Sequence, residues 1–476
     1  MAASLIKADI CVIGAGSAGL SVAAGAAQLG ARTVLIEAAR MGGDCLNTGC
    51  IPSKSLLAAA RTAHTIKEAA KFGVRADALR VDFAAVHDYV HSVIAAIAPH
   101  DSVERFTRLG CTVVQARAKF IDERTLEAGG QRIRARRFVV ATGSRAAVPP
   151  IRGLDGVPYF TNETLFDNVT LPDHLVIVGA GPIGCEMAQA HRRLGSRVTV
   201  LDLGSMLPKD DPEAVAIIRH AFAAEGIAVV ESVLVRRVER NATGIVATVA
   251  EAGTERQIDG THLLIATGRK PNVEDLGLDA AGVRFSATGI EIDARLRTSN
   301  PHIYAIGDVA GGYQFTHLAG YHAGIVLRNA LFRLPAKVDL RAFQWVTYTD
   351  PELVQVGMTE TQARTAHGDA VRVSRATFAD NDRAQTEGAT QGFIKVMTSA
   401  RGRILGVTLV GCHAGELALP WILAIARELR IGTLATAIAP YPTLSEISKR
   451  ATGAFYAPKL FSRRTRALVR LLGWLG

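Results

Sequence analysis

One strand–turn–helix–strand pattern occurs twice in the chain, and it constrains the fold more than any other feature. Residues Ile10 to Glu37 read ICVIGAGSAGLSVAAGAAQLGARTVLIE, and Leu175 to Asp202 read LVIVGAGPIGCEMAQAHRRLGSRVTVLD. Each opens with a short apolar run of the kind a buried strand needs. Glycines follow in G-x-G-x-x-G spacing: Gly14, Gly16 and Gly19 in the first copy, Gly179, Gly181 and Gly184 in the second. The first glycine permits a tight turn, the second lets a pyrophosphate approach the backbone, and the third lets helix and strand pack closely. The helix N-terminus then faces the phosphates. A second apolar strand ends in an acid, Glu37 or Asp202, at the same distance from the first glycine, placed to accept hydrogen bonds from a ribose. Two such units predict an α/β fold with two Rossmann-like dinucleotide-binding domains, and two dinucleotides suggest an exchange of electrons between them.

The chain has 476 residues, enough for more than one domain, and is 49% hydrophobic and 21% charged. Its net charge of +10 is spread along the chain, which argues against a nucleic-acid patch and suits anionic cofactors. No window holds the roughly 20 uninterrupted apolar residues of a spanning helix, and the glycine-punctuated N-terminus is not a signal peptide. A cytoplasmic location is expected.

Of six cysteines, Cys45 and Cys50 stand together in GGDCLNTGCIPSK, directly after the first glycine motif. No second Cys or His pair stands at zinc-ligand spacing, so a redox pair is expected and no metal site. Pro52 suits a first helical turn, and a helix N-terminus at Cys50 would stabilise a thiolate. A flavin can pass electrons on to a disulfide. FAD is therefore expected at the first site and the nicotinamide at the second. Asp202 would repel a 2′-phosphate, which favours NAD(H) over NADP(H). Cys11, Cys111, Cys185 and Cys412 lie in apolar contexts and read as core residues.

GGDCLNTGCIPSK resembles the redox motif of the class I pyridine nucleotide–disulfide oxidoreductases, the flavoprotein family that includes lipoamide dehydrogenase, glutathione reductase and mercuric reductase. The resemblance continues through ATGS (Ala141–Ser144), GAGPIGCE (Gly179–Glu186), ATGRKPN (Ala266–Asn272), YAIGDVAG (Tyr304–Gly311), TDPELVQVG (Thr349–Gly357) and YPTLSE (Tyr441–Glu446). It implies a Cys45–Cys50 disulfide with Cys50 next to the flavin and Cys45 toward the substrate, and Lys54 paired with Glu186 where the nicotinamide stacks. It further implies FAD contacts at Gly43, Lys54, Thr142, Gly143, Ser144, Gly307, Asp308 and His317, and a nicotinamide-site role for Gly268. The implied organisation is a discontinuous FAD domain (1–150 and 271–341), an NAD(P) domain (151–270) and an α+β dimerisation domain (342–460). In the resulting homodimer, Tyr441 and Glu446 of one subunit complete the other's disulfide site.

Tyr441 stands where many dithiol-using members carry a His oriented by the residue matching Glu446. A phenol titrates near 10 and is a poor base at neutral pH. Mercuric reductase also has Tyr there, but it ends in a metal-loading cysteine pair that this chain lacks. The first motif begins close to Met1, so no heavy-metal-binding domain is expected ahead of it. His413 is expected at the start of a helix in the last domain.

The leading expectation is an NAD(P)H-linked FAD enzyme that delivers electrons through Cys45 to a disulfide, a metal ion or another small-molecule acceptor. A dihydrolipoamide dehydrogenase, and an electron-transfer module held by a membrane or protein partner, stay open. The tail 461–476 alternates Arg with Leu, Val and Trp; it is either a terminal helix docked on the protein or frayed, or a basic amphipathic helix on the inner face of a membrane.

Overall fold

Strand β1 (Leu5–Ile13) shows why the first repeat folds as it does. Ile10 and Val12 pack into one hydrophobic cluster, and Cys11 and Ile13 into another on the opposite face. Both clusters are buried, as a strand inside a helix-covered parallel sheet requires. The computed structural model describes residues 5–242, 244–251 and 253–474. Met1–Ser4 of the expected FAD domain, Thr243 and Ala252 of the expected NAD(P) domain, and Leu475 and Gly476 of the tail lie outside these residues.

The chain packs as two compact units. The first comprises residues up to Gly179 together with 190–203 and 233–338; the second comprises 180–189, 204–232 and the segment from Asp339 onward.

In the first unit, α1 (Ser17–Gln28) follows β1 and leads to β2 (Thr33–Glu37). Gly19 and Gly25 bring α1 close to its neighbours: a Cβ on Gly19 would fall 1.8 Å from the Gly14 carbonyl oxygen, and one on Gly25 would fall 2.5 Å from Leu327 Cδ1. Next come two helices, α2 (Gly43–Asn47) and α3 (Cys50–Glu68). Beyond them lie the helices Phe83–Ile97 and Val103–Arg108. β1 pairs parallel with β2 and with the strand Gln131–Val140, which pairs parallel with Ile303–Ala305 on its other side. The second repeat forms its own parallel set, with His174–Val178 between Arg197–Leu201 and His262–Ile265.

The second unit is built on a five-stranded antiparallel sheet in the order Gln344–Thr347, Glu352–Gly357, Ile404–Gly411, Phe393–Thr398, Arg372–Thr377. Trp421, Phe378, Val396 and Val407 fill its core. A buried cation lies on the sheet's other face, since Lys395 alternates with Ile394 and Val396 of that core. Lys395, with a side chain only 4% exposed, reaches Asp211 at 2.9 Å, Glu213 at 2.5 Å and Glu360 at 3.1 Å. His413 does not begin a helix. It sits in a left-handed turn (φ 52°) after Ile404–Gly411, and the helix starts at Leu419, because the chain must first reverse direction.

Among the described residues, no helix is long and apolar enough to cross a membrane. Cys11, Cys111 and Cys185 are buried as expected, whereas Cys412 is only half-buried.

Candidate active site

The turn between β1 and α1 is shaped by atoms that leave no room for side chains. Gly14 has φ 104°, donates its N–H to the Ile36 carbonyl at 2.8 Å, and would place a Cβ 2.4 Å from the Ala141 carbonyl oxygen. Gly179 repeats the arrangement: φ 115°, N–H to the Leu201 carbonyl at 2.8 Å, and a Cβ that would fall 2.3 Å from the Ala266 carbonyl oxygen. The two glycines thus have the same environment, as their shared motif predicts. Gly181 faces open space, and Gly184 is buried at the start of the helix Pro182–Leu194. Asp202 follows the strand Arg197–Leu201. Gly268, in a positive-φ turn, has nothing within 4 Å of a Cβ position.

At the first site the loop bearing the thiols closes onto this turn. Gly42 donates to the Ala15 carbonyl, and a Cβ on Gly43 would fall 2.6 Å from the Gly16 Cα. Side chains are therefore excluded from both walls of a backbone-lined cradle at a helix N-terminus. That is the environment a dinucleotide pyrophosphate needs, so the residues present fit FAD. Glu37 braces the cradle: its Oε2 accepts the Ala15 N–H at 2.6 Å and its Oε1 the Ala39 N–H at 2.7 Å. Each oxygen retains a lone pair for a ribose hydroxyl.

Cys45 lies in α2, and Cys50 is the first residue of α3. Both are free thiols joined by a hydrogen bond. That bond, the Thr316 hydroxyl at 3.4 Å from Cys50 Sγ and the Lys54 ammonium pull the Cys50 thiol down to about 6, against the opposing effects of burial and of Asp44. Cys45 moves strongly upward, chiefly because it donates the bond that Cys50 receives, and also through burial. The pair is thus polarised, with the thiolate on Cys50 and the proton on Cys45. Lys54 Nζ lies 3.4 Å from Ser53 Oγ.

The motifs ATGS and GD follow adjacent parallel strands, Gln131–Val140 and Ile303–Ala305, and so meet at their carboxyl ends, where α/β sheets place ligands. Ser144 Oγ donates to Asp308 Oδ2 at 2.5 Å, and Arg269 Nε donates to Ser144 Oγ at 2.7 Å. Arg269 also reaches Asp44 Oδ2 at 3.2 Å. Burial raises the Asp308 carboxyl, while Ser144 and Arg269 limit the rise. Gly143 has φ 68°, and Thr142 is held by Asn272 through bonds of 2.8 and 2.9 Å. The Gly307 N–H donates to Nδ1 of His322, whose own titration burial lowers to about 4, so this imidazole is neutral. His317 lies exposed in the first turn of the helix Thr316–Ala330.

Glu186 and Tyr441 belong to the second unit. Glu186 is 5% exposed and accepts the Tyr348 N–H at 3.0 Å. Tyr441, 70% exposed, donates its hydroxyl to Asp382 Oδ2 at 3.2 Å. Glu446 opens the helix Glu446–Leu460, with a buried Oε2 that has no hydrogen-bond partner among the described residues.

The sequence reading overlooked Asp44, Arg269, Thr316, His322 and Asp382. Arg269 and Thr316 stand in or beside recognised motifs, but neither carries a local signal of what it touches. Among the described residues, no group of three or more His, Cys, Asp or Glu side chains is arranged to hold a metal ion.

Comparison with known proteins agrees with this geometry. Residues 8–323 match the family "Pyridine nucleotide-disulphide oxidoreductase", and 343–452 match its dimerisation domain. The chain is 36% identical over 450 residues to a mercuric reductase of Bacillus cereus, covering 94% of this chain and 71% of that one. It is 33% identical over 446 residues to a dihydrolipoyl dehydrogenase of Bacillus subtilis (strain 168), covering 92% and 96%. The solved Cu(II) complex of the HOCl-induced flavoprotein disulfide reductase RclA from Escherichia coli superposes with a TM-score of 0.83 at 27% identity, covering 94% of this chain and 99% of that one. The chain belongs to the class I pyridine nucleotide–disulfide oxidoreductases and is an FAD-dependent, NAD(P)H-linked disulfide oxidoreductase with the family's dimerisation domain.

Proposed function

We propose that this enzyme works in the reducing direction, from NADH to a disulfide or a soft metal ion, rather than as a dihydrolipoamide dehydrogenase. The observation that carries this reading is the bond from Tyr441 to Asp382. That carboxylate raises the phenol above its ordinary value, so at neutral pH the hydroxyl donates and takes no proton. Oxidation of an external dithiol needs a base outside the Cys45–Cys50 pair to deprotonate it; reduction of a disulfide runs the other way and needs a hydrogen-bond or proton donor there instead.

FAD, when bound, supplies the two-electron relay between nicotinamide and sulfur. Gly14, Gly16, Gly19 and Gly43 would hold its pyrophosphate, Glu37 its ribose, and Asp308, held by Ser144, its ribityl–phosphate region. Thr142, Gly143, Gly307, Lys54 and His317 complete the proposed contacts. Gly179, Gly181, Gly184, Gly268 and Asp202 would hold the nicotinamide dinucleotide, with Glu186 two residues after Gly184 on the same helix. The proposed organisation is FAD domain 1–150 and 271–341, NAD(P) domain 151–270 and dimerisation domain 342–460.

In the reduced pair, Cys45 meets the acceptor. With a disulfide RSSR, Cys45 passes its proton to the Cys50 thiolate bonded to it and attacks one sulfur; the departing RS⁻ takes that proton from Cys50 and leaves as RSH. The Cys50 thiolate then attacks Cys45, releasing the second thiol and closing the Cys45–Cys50 disulfide. NADH and one proton restore the dithiol, so each cycle converts RSSR, NADH and H⁺ into two RSH and NAD⁺. With a metal ion, the same two electrons reduce the ion while the disulfide closes. Tyr441, beside Glu446 in the dimer, would turn its one O–H from Asp382 to a bound disulfide.

The test is a steady-state comparison of NADH oxidation with Hg(II), Cu(II) and small disulfides against dihydrolipoamide oxidation with NAD⁺. NADH-driven turnover that exceeds the lipoamide reaction is expected. Comparable turnover in both directions would overturn the proposal.

A further inference from the structure

The helix Arg463–Leu472 is capped by Ser462, whose Oγ accepts the Thr465 N–H, and contains no buried residue. Every residue from Arg466 to Trp474 is exposed, with Trp474 at 90%. Arg463, Arg466 and Arg470 recur at helical spacing and share one face, while Leu468, Leu471 and Leu472 share another. Phe461 and Trp474 flank the helix, and both are exposed. Arg464 precedes Leu468 by one turn, where a long side chain can lay its stem along the apolar face and keep its charge in water.

Charge identifies the occupant. No Asp or Glu follows Glu446 in the chain, while Lys459, Arg463, Arg464, Arg466 and Arg470 are all cationic. A surface helix of a globular protein commonly mixes both signs on its polar face. Apolar side chains, an unbroken run of cations and a terminal Trp instead match the plane between headgroups and acyl chains of a bilayer, and the cations complement anionic headgroups. The helix is too short to span, so it would lie along the surface.

We propose that the C-terminal segment Lys459–Trp474 is a docking element for membranes that carry anionic phospholipid. Neither the cations nor the apolar face suffices alone, since stable attachment of a short helix requires both.

The FAD-loaded full-length enzyme would be sedimented with vesicles of phosphatidylcholine, alone or mixed with phosphatidylglycerol. Binding to the mixed vesicles should exceed binding to the neutral ones by about tenfold or more and weaken as salt rises. The triple variant R463Q/R466Q/R470Q and the double variant L468D/L472D should each lower it by about tenfold or more, with NADH oxidation unchanged as a check on folding. No pelleting at low salt, or equal binding to both vesicle types, would overturn the proposal. So would a change of oligomeric state in L468D/L472D without any vesicle binding, which would assign the helix to a contact between copies of the chain.

Discussion

Arg269 Nη2 lies 3.2 Å from Asp44 Oδ2, an ion pair that ties the residue before Cys45 to the residue after Gly268. The same carboxylate accepts from Thr48 Oγ1 at 2.8 Å and Asn162 Nδ2 at 3.0 Å. It thereby anchors the short helix that carries Cys45. Asp44→Ala would remove the acceptor shared by Arg269, Thr48 and Asn162, and a loss of about 2 kcal/mol of stability is expected. Chemical denaturation of the FAD-loaded enzyme measures it; an unchanged midpoint would show that the network bears no load.

Cys50 titrates at about 6, below the ordinary thiol range. Its thiolate persists above that pH and is lost as pH falls through it. In the reduced enzyme, the rate of iodoacetamide alkylation should therefore rise around pH 6, and the step should vanish in Cys50→Ser. Thr316→Val and Lys54→Met should each move the step upward, because each removes a stabiliser of the thiolate. A profile that rises only near pH 8.5 would contradict the polarised pair.

Tyr441→Phe removes the donor and should lower kcat/KM for the acceptor by about tenfold. Tyr441→His introduces a base beside the orphaned Glu446 carboxylate and should raise dihydrolipoamide oxidation by about tenfold or more. If both variants behaved as the parent enzyme in both assays, the phenol would have no part in acceptor handling.

Asp202→Ala removes the negative charge expected near the adenosine ribose. The ratio of kcat/KM for NADH to that for NADPH should fall by about tenfold or more. A constant ratio would assign cofactor choice to other residues.

Lys395→Met leaves Asp211, Glu213 and Glu360 crowded without their shared cation, and should destabilise the second unit by about 3–5 kcal/mol. Glu213 is lowered chiefly by its bond to Lys395; Glu360 is lowered by Arg364 and Lys395 although burial opposes it. Groups lowered on folding stabilise above their unfolded values and lose that contribution as pH falls through the folded ones. Stability should thus fall more steeply in the parent than in Lys395→Met below about pH 4.5. Parallel pH profiles of the melting temperature would remove the cluster from the account.

The sequence alone determined whatever depends on neighbours along the chain. Glycine spacing, apolar runs and a terminal acid specify each dinucleotide turn because the turn is built from consecutive residues, and Gly14 and Gly179 accordingly share φ, donor and crowding. The thiol pair was legible for the same reason, and so was the amphipathic tail. Only the tertiary structure placed Thr316 against Cys50 across 266 residues, or Asp382 against Tyr441 across 59. It alone turned Arg269 toward Asp44 and Ser144 and left one oxygen of Glu446 without a hydrogen-bond partner among the described residues. Hydrogen bonds between remote side chains carry no periodicity, and it is the packing of strands and helices that decides which polar atoms meet.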